Sequence, residues 1–501
     1  MKKTNEKDEP KRSWLEEKDK LIEERVARFK SDDERAEYYR FLGNNESDEL
    51  VKNHLKAVHA YKSQKIREKF LVCHLNNISE YNIKLIIRHL IEHESSASFT
   101  LLLSLFTGRD IQSLQQENII ESSGASIRYR IFHILPDLGK ELNEQIEFTS
   151  DYFDLKLPDI FRSFVSTNYK LCKVSEAKKI KEELVAKYSI RFELSQVSYY
   201  MAYWMSHNNV DTAIIAILYG DSMKEVLSVN YYLTDTNNVL MIYNKFLNHL
   251  LNKKNKLNQQ LALEFENTKI GSNLVLKSKS ITNIFKNLSK SILALEDSNY
   301  DTFYLQYNWF TFYTVFFLNL TTGYRPVTDI YDSLDKIHLN SKLVYISDKA
   351  RDSTLPYRLN PIPDCVCEQI KNYISYINYI CNEMSLLTEI KDELIKILNS
   401  EGPMFRLFIK GKLKSYTSKN AKKIIGNGFD INQNWNRHFM RTKLSEYEVP
   451  GRHIDMWMGH EGLGDYALSE YSSMSMNDLK FVSDKISKIL NNLNIQPFKV
   501  Y

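Results

Sequence analysis

Glycine and proline are scarce in this chain. Of 501 residues, 15 are Gly and 10 are Pro, about 5% together where average usage gives about 12%. Sandwiches, barrels and propellers need many turns, and turns draw heavily on these two residues. The expected fold class is therefore mainly α with a small β-sheet (α+β). The same shortage excludes collagen-like and low-complexity chains. A hydrophobic fraction of 43%, with 31 Tyr, 25 Phe and 5 Trp, supplies large cores and excludes global disorder. Length alone suggests about three domains.

The five cysteines Cys73, Cys172, Cys365, Cys367 and Cys381 are few and odd in number. Cys365 and Cys367 are separated by one residue rather than two, so neither a disulfide framework nor a CxxC site is expected. They read as reduced thiols of a cytoplasmic protein. The opening MKKTNEKDEP lacks the apolar core of a signal peptide. The most apolar run, Trp309 to Leu320, is shorter than the ~20 residues of a membrane span and reads as a buried helix. No membrane partner is expected.

Charge and periodicity divide the chain. Residues 1–37 carry 11 basic and 12 acidic side chains, so 1–60 reads as a charged helical segment. Apolar helical spacing begins near residue 61 and marks a helical domain over 61–235. Residues 245–290 hold nine Lys against Glu264 and Glu266, which suggests a basic helical linker or DNA clamp over 236–295. The pattern is globular again over 296–501. His133, in Phe132-His-Ile-Leu-Pro136, reads as part of a strand end. No GxxxxGK[ST], GxGxxG, HExxH or GxSxG occurs, so no cofactor and no metal are expected.

Four segments of the last third carry a coherent chemistry. Thr322-Gly-Tyr-Arg325 delivers an Arg at a tight turn after a buried helix. Lys342 to Arg358 reads as two short strands around a polar turn, with Lys349 at the tip and Arg351 as its competitor. Arg437-His438-Phe-Met-Arg441 sets His and Arg three apart on one helical face. Met458-Gly-His460 is followed by Tyr466 and Tyr471. Arg forks neutralise the non-bridging oxygens of a phosphodiester and stabilise its transition state without a metal. A Tyr hydroxyl can attack phosphorus, a His can take its proton, and a Lys can protonate the leaving oxygen.

In this order and spacing the segments resemble the catalytic domain of the tyrosine recombinase (lambda-integrase-like) family, most strongly over residues 300–480. The resemblance implies DNA cleavage and rejoining through a 3′-phosphotyrosyl intermediate, with no cofactor, for integration or transposition of a mobile element. It implies that Arg325 and Arg441 bind the scissile phosphate, Lys349 acts as general acid and His438 as acid/base. His460 would orient the phosphate and Tyr471 would be the nucleophile, with Tyr466 as the alternative on spacing. It also implies double-stranded DNA as partner, with a dimer on one site and a tetramer in synapsis. The chain departs from the family pattern in having Thr328 where an acid is usual. The Arg441–His460 interval is short, and the His460–Tyr471 interval of 11 contains an inserted-looking Gly462-Leu-Gly464. A second reading is a catalytically impaired DNA-binding or scaffold subunit.

The pattern is echoed upstream. Ser98 to Arg109, an apolar helix ending in Thr-Gly-Arg, resembles Tyr313 to Arg325, with the two glycines 215 residues apart. Ala202 to Asp221 resembles the stretch ending in Gly-His, with Tyr231 or Tyr232 closing it. Ser195 and Ser198 then stand where His and Arg belong, and Asp221 where His belongs. Residues 61–235 are either a degenerate copy of the catalytic fold or an unrelated helical domain. The tandem aromatics Tyr199-Tyr200, Tyr231-Tyr232 and Phe316-Phe317 read as core. Between Phe405 and Lys443 there are ten Lys/Arg and one acid, Asp430. The expected DNA-binding residues there are Lys410, Lys412, Lys414, Lys419, Lys422, Lys423 and Arg437, which would give salt-sensitive phosphate contacts.

Overall fold

The computed structural model describes residues 77–116, 126–130, 144–150, 152–219, 227–251, 268–295, 303–325, 331, 333–346, 358–383, 387–426, 434–460 and 474–500. It is mostly helical with small antiparallel sheets, as the Gly/Pro shortage predicts. The 1–60 segment and His133 lie outside the described residues.

The first half runs α1 (Glu80–Glu92), α2 (Ser96–Thr107), α3 (Ile111–Gln116), β1 (Ser126–Arg130), β2 (Tyr152–Lys156), α4 (Arg162–Ser166), α5 (Val174–Tyr188), α6 (Leu194–His207) and α7 (Thr212–Tyr219). A 3₁₀ turn (Leu227–Tyr231), β3 (Leu233–Asp235), α8 (Thr236–Leu251) and β4 (Lys269–Gly271) complete it. Ser79 and Ser95 cap α1 and α2 by accepting the Asn82 and Ser98 amides at 3.2 and 3.0 Å, which satisfies donors a helix start leaves open. Helix α2 is buried on all sides and forms the axis of a first core extending from Ile78 to Ile270.

The second half runs α9 (Ser278–Leu293), α10 (Phe303–Thr322), β5 (Ile337–His338), β6 (Leu343–Ile346), β7 (Arg358–Pro361), α11 (Asp364–Glu383) and α12 (Thr388–Leu398). Strands β8 (Arg406–Ile409) and β9 (Lys412–Ser415) follow, then α13 (Ser418–Ile425), α14 (Trp435–Glu446), α15 (Gly451–Met458) and α16 (Met476–Asn492). Strands β5–β6–β7 form an antiparallel sheet in which Ile346 pairs with Arg358. Its second connection, residues 347–357, contains Lys349 and Arg351, and both lie outside the described residues. In the β8–β9 hairpin Lys410 and Gly411 have φ of 52° and 73°, the two-residue turn whose twist matches its strands.

The segment expected as a basic helical linker or DNA clamp over 236–295 contributes a helix to each core. Helix α8 buries Val239, Tyr243, Phe246 and Leu250 in the first core, and α9 buries Ile281, Phe285, Leu288 and Ile292 in the second. Apolar residues at three- and four-residue spacing supply those faces, and the lysines between them occupy the opposite sides.

The upstream echo has a counterpart in the element order. Each half begins with a helix pair (α1–α2, α9–α10), continues through antiparallel strands, and later packs two helices together (α6–α7, α14–α15) before its last elements. Both second helices end in a left-handed glycine, Gly108 at φ 71° and Gly323 at φ 59°. A Cβ on Gly108 would meet Met201 and Tyr219, and one on Gly323 would meet Trp457 at 2.9 Å. In each half this glycine lets the end of one helix press against the closing helix pair. Ser198 is buried and its hydroxyl donates to the Ser195 carbonyl at 2.9 Å, within its own helix. Asp221 lies outside the described residues.

Candidate active site

Helix α14 positions most of the site. Its sequence is polar, yet Trp435 to Thr442 are all buried, so each polar side chain there needs a partner. Arg437, His438 and Arg441 find theirs in three different directions.

Arg437 ties two helix ends together. Its Nη1 donates to the Gly323 carbonyl at 2.6 Å, and its Nη2 donates to the Met458 carbonyl at 3.0 Å. These oxygens lie at the C-terminal ends of α10 and α15, where a cation is electrostatically favoured. Nη2 also lies 2.6 Å from His460 Nε2. Arg can only donate, so Nε2 accepts and the imidazole proton sits on Nδ1. Arg358 reinforces the junction from β7, donating to the carbonyls of Thr322 (3.1 Å), Gly323 (3.0 Å) and Trp457. Asn360 adds bonds to Thr322 and Trp457. Arg437, expected with the lysines on a DNA face, is 1% exposed. That expectation is corrected: this guanidinium is consumed by backbone carbonyls.

Arg325 follows Gly323 and Tyr324 and is half-buried. The Asn436 amide holds the Tyr324 carbonyl at 3.1 Å, fixing the chain at Arg325 against the start of α14. Arg325 Nε is shielded from solvent with no hydrogen-bond partner among the described residues.

His438 is buried, with Nδ1 2.6 Å from Ser272 Oγ. Burial, and then the neighbouring Arg437 charge, push its pKa down to about 3, while a bond to the Asn230 backbone works against them. The ring is neutral and faces Tyr231 at a centroid distance of 4.6 Å. Tyr231 also lies 5.1 Å from the His460 ring and under the Arg437 guanidinium at 5.0 Å. It therefore fills the space between the three side chains. It comes from the first half of the chain.

Arg441 is fully buried. Its Nη2 donates to Asp211 Oδ1 at 2.6 Å, and its Nε lies 3.5 Å from Asp455 Oδ1. Its guanidinium stacks on Tyr232 at 4.9 Å, and Nη1 has no hydrogen-bond partner among the described residues. Burial alone would lower its pKa, but Asp211 and Asp455 outweigh that and hold it charged. Burial pushes Asp455 up to about 6; Arg441 pulls it down and Asp211 pushes it further up.

Of the expected catalytic residues, the structure brings Arg325, His438, Arg441 and His460 to the junction of α10, α14 and α15. Lys349, Tyr466 and Tyr471 lie outside the described residues. Sequence reasoning missed Asp211, Tyr231, Tyr232, Ser272 and Asp455. Only Asp211 carried a local signal: an Asp before an apolar helix is a favoured N-cap, and it does accept the Ala213 amide at 2.9 Å.

Lys410, Lys412, Lys414, Lys419, Lys422 and Lys423 lie on the surface of the β8–β9 hairpin and α13. No acid interrupts them between 410 and 425. Among the described residues no cluster of three or more His, Cys, Asp or Glu suits a metal ion, and no helix is long and apolar enough to cross a membrane. Comparison with protein-family models, curated proteins and solved structures finds no match.

Proposed function

We propose that this protein cuts and rejoins duplex DNA as a tyrosine-recombinase-type strand transferase. The observation that carries this reading is that His438 and His460 flank one Tyr231 ring, Arg441 and His460 both neighbour Asp455, and the chain leading into Arg325 is held against the start of α14. His438 is neutral, and Ser272 and the Asn230 backbone already engage its ring, so DNA binding must free one of its nitrogens before it accepts a proton. In the proposed step Tyr471 Oη gives its proton to His438 and bonds to phosphorus. The bond from phosphorus to the 5′ oxygen breaks, and Lys349 protonates that oxygen. Arg325 and Arg441 would hold the non-bridging oxygens, and the six lysines would follow the backbone. By the resemblance, the acting form is a dimer on each site and a tetramer in synapsis, serving a mobile element in the cytoplasm.

A nicked suicide duplex carrying the element ends tests this reading. A covalent protein–DNA adduct should form, persist in Tyr466→Phe and vanish in Tyr471→Phe. Absence of any adduct sinks the enzyme reading. One observation favours the second reading, an impaired DNA-binding subunit: Arg441 is already engaged by two carboxylates. That reading expects salt-sensitive duplex binding, no adduct, and no effect of Tyr471→Phe.

A further inference from the structure

The face of α14 that carries His438 and Arg441 is occupied along its length by the first half of the chain. Positions 438, 441, 442 and 445 lie three, four or seven apart and so share one helical face. His438 meets Ser272, and Arg441 meets Asp211. Thr442 Oγ1 accepts the Leu233 amide at 3.1 Å, and Ser445 Oγ donates to Tyr232 Oη at 3.2 Å.

The Asp211 niche is shaped for a carboxylate. A Cβ on Gly451 would lie 2.6 Å from Asp211 Cγ and 2.8 Å from each of its oxygens, so only glycine admits the side chain. Thr212, the next residue, donates to Asp455 Oδ2 at 3.1 Å. Asp211 thereby presents a compact anion to the guanidinium expected to grip the scissile phosphate. Arg441 Nη1, buried and with no partner among the described residues, retains one donor that the carboxylate does not use. Beside this niche a polar cleft lined by Tyr232, Thr234, Lys269, Ser445 and Glu446 runs along the seam.

We infer that Asp211 is an internal stand-in for a DNA phosphate and that the Asp211–Tyr232 face, seated on Arg441, holds the site closed until duplex DNA competes Asp211 off. The inference rests on the proposed DNA-binding function and specifies how that site is regulated. A phosphodiester can engage both Nη donors of Arg441, whereas Asp211 is held through Nη2 alone. Opening at Asp211 frees the Arg441 guanidinium, while Tyr231 stays packed in the second core.

The full-length chain tests this with two readouts: duplex affinity, and hydrogen exchange at the Leu233 amide, whose bond crosses the seam. Asp211→Asn keeps the size and the N-cap acceptor but removes the charge; Gly451→Ala expels the carboxylate sterically and leaves its charge intact. Both variants should speed Leu233 exchange without DNA and bind duplex about tenfold more tightly, within the usual range of coupling between sites. Duplex added to the wild type should speed the same amide. Duplex binding with Leu233 protection unchanged and neither variant tighter overturns the closed state but leaves the DNA reading intact. No duplex binding by any of the three proteins overturns both.

Discussion

Arg437 Nη2 and His460 Nε2 are 2.6 Å apart, and that bond closes a ring of contacts around the ends of α10 and α15. Arg437 sits where the sequence pattern places no catalytic role, one residue before His438, yet with Arg358 and Asn360 it bridges both helix ends.

Replacing it should unfold the junction rather than weaken DNA binding directly. Arg437→Ala leaves the Gly323 and Met458 carbonyls with fewer donors and should cost about 3 kcal/mol of stability. Arg437→Lys loses the fork that spans two helix ends and should recover only part of it. Urea unfolding of both variants checks this; a change below about 0.5 kcal/mol in Arg437→Ala would refute the clamp.

Gly323→Ala should be costly for two reasons together. Its φ of 59° suits a residue without a Cβ, and the new methyl would meet Trp457 at 2.9 Å. The expected loss is about 2 kcal/mol, the backbone strain being added to an overpacked contact. Thermal unfolding with the wild-type midpoint would contradict the description of this helix end.

Acid should act on the site through two groups of opposite sign. His438 has its pKa pushed down to about 3 in the folded chain, against about 6.5 when unfolded. The unfolded chain takes up that proton first, so the contribution of His438 is complete above about pH 6.5 and is lost toward about pH 3. The slope is about 1.4 kcal/mol per pH unit. Asp455 is pushed up to about 6, so there the folded chain takes up the proton first. Stability from Asp455 therefore rises as pH falls from about 6 to about 4. Over that window the two nearly cancel in the wild type. His438→Gln should leave stability rising on acidification across it, and Asp455→Asn should leave it falling. Urea titrations at several pH values distinguish these slopes; two variants that both track the wild type would contradict the assignment.

The six surface lysines should each engage a phosphate independently. Changing Lys412, Lys419 and Lys422 to Gln should lower the salt slope of duplex binding by about 0.9 for each phosphate no longer neutralised. It should shift unfolding by less than about 0.5 kcal/mol. An unchanged salt slope would place the DNA elsewhere.

The parts of this arrangement legible in the sequence are those written as local patterns. The Thr-Gly ends of α2 and α10 follow from buried helices that must stop, and Leu343–Ile346 lies in the stretch read as a hairpin, but its partner strand Arg358–Pro361 begins only where that stretch ends. The lysine run from 410 to 423 lies on the surface as composition suggests. The direction of side chains on a helix buried all round is not legible. Arg437 and Arg441 differ by four positions on α14, yet one turns to carbonyls and the other to carboxylates. Nothing local distinguishes them, because the partners lie at α7, α10 and α15. Tyr231 reads as core, and it is buried, between His438, His460 and Arg437 of the other half. Residues 236–295 read as a basic helical linker or DNA clamp because their lysines hide two amphipathic faces.

The seam between the halves has a consequence for assembly order. Its bonds join residues 166 apart (Ser272–His438), 209 apart (Leu233–Thr442) and 230 apart (Asp211–Arg441). Each half builds most of one core, with Ile146, Tyr231 and Leu233 of the first half joining the second, and contacts that close long loops form late because the chain entropy must be spent before they are made. During synthesis the first half emerges and folds with Asp211, Tyr231 and Ser272 exposed to water. It acquires the neighbour that covers them only when α14 has left the ribosome. The polar bonds of Asp211 and Ser272 to α14 are thus the last to close in folding and the first that a native molecule can part, whereas the Tyr231 and Leu233 side chains stay packed in the second core.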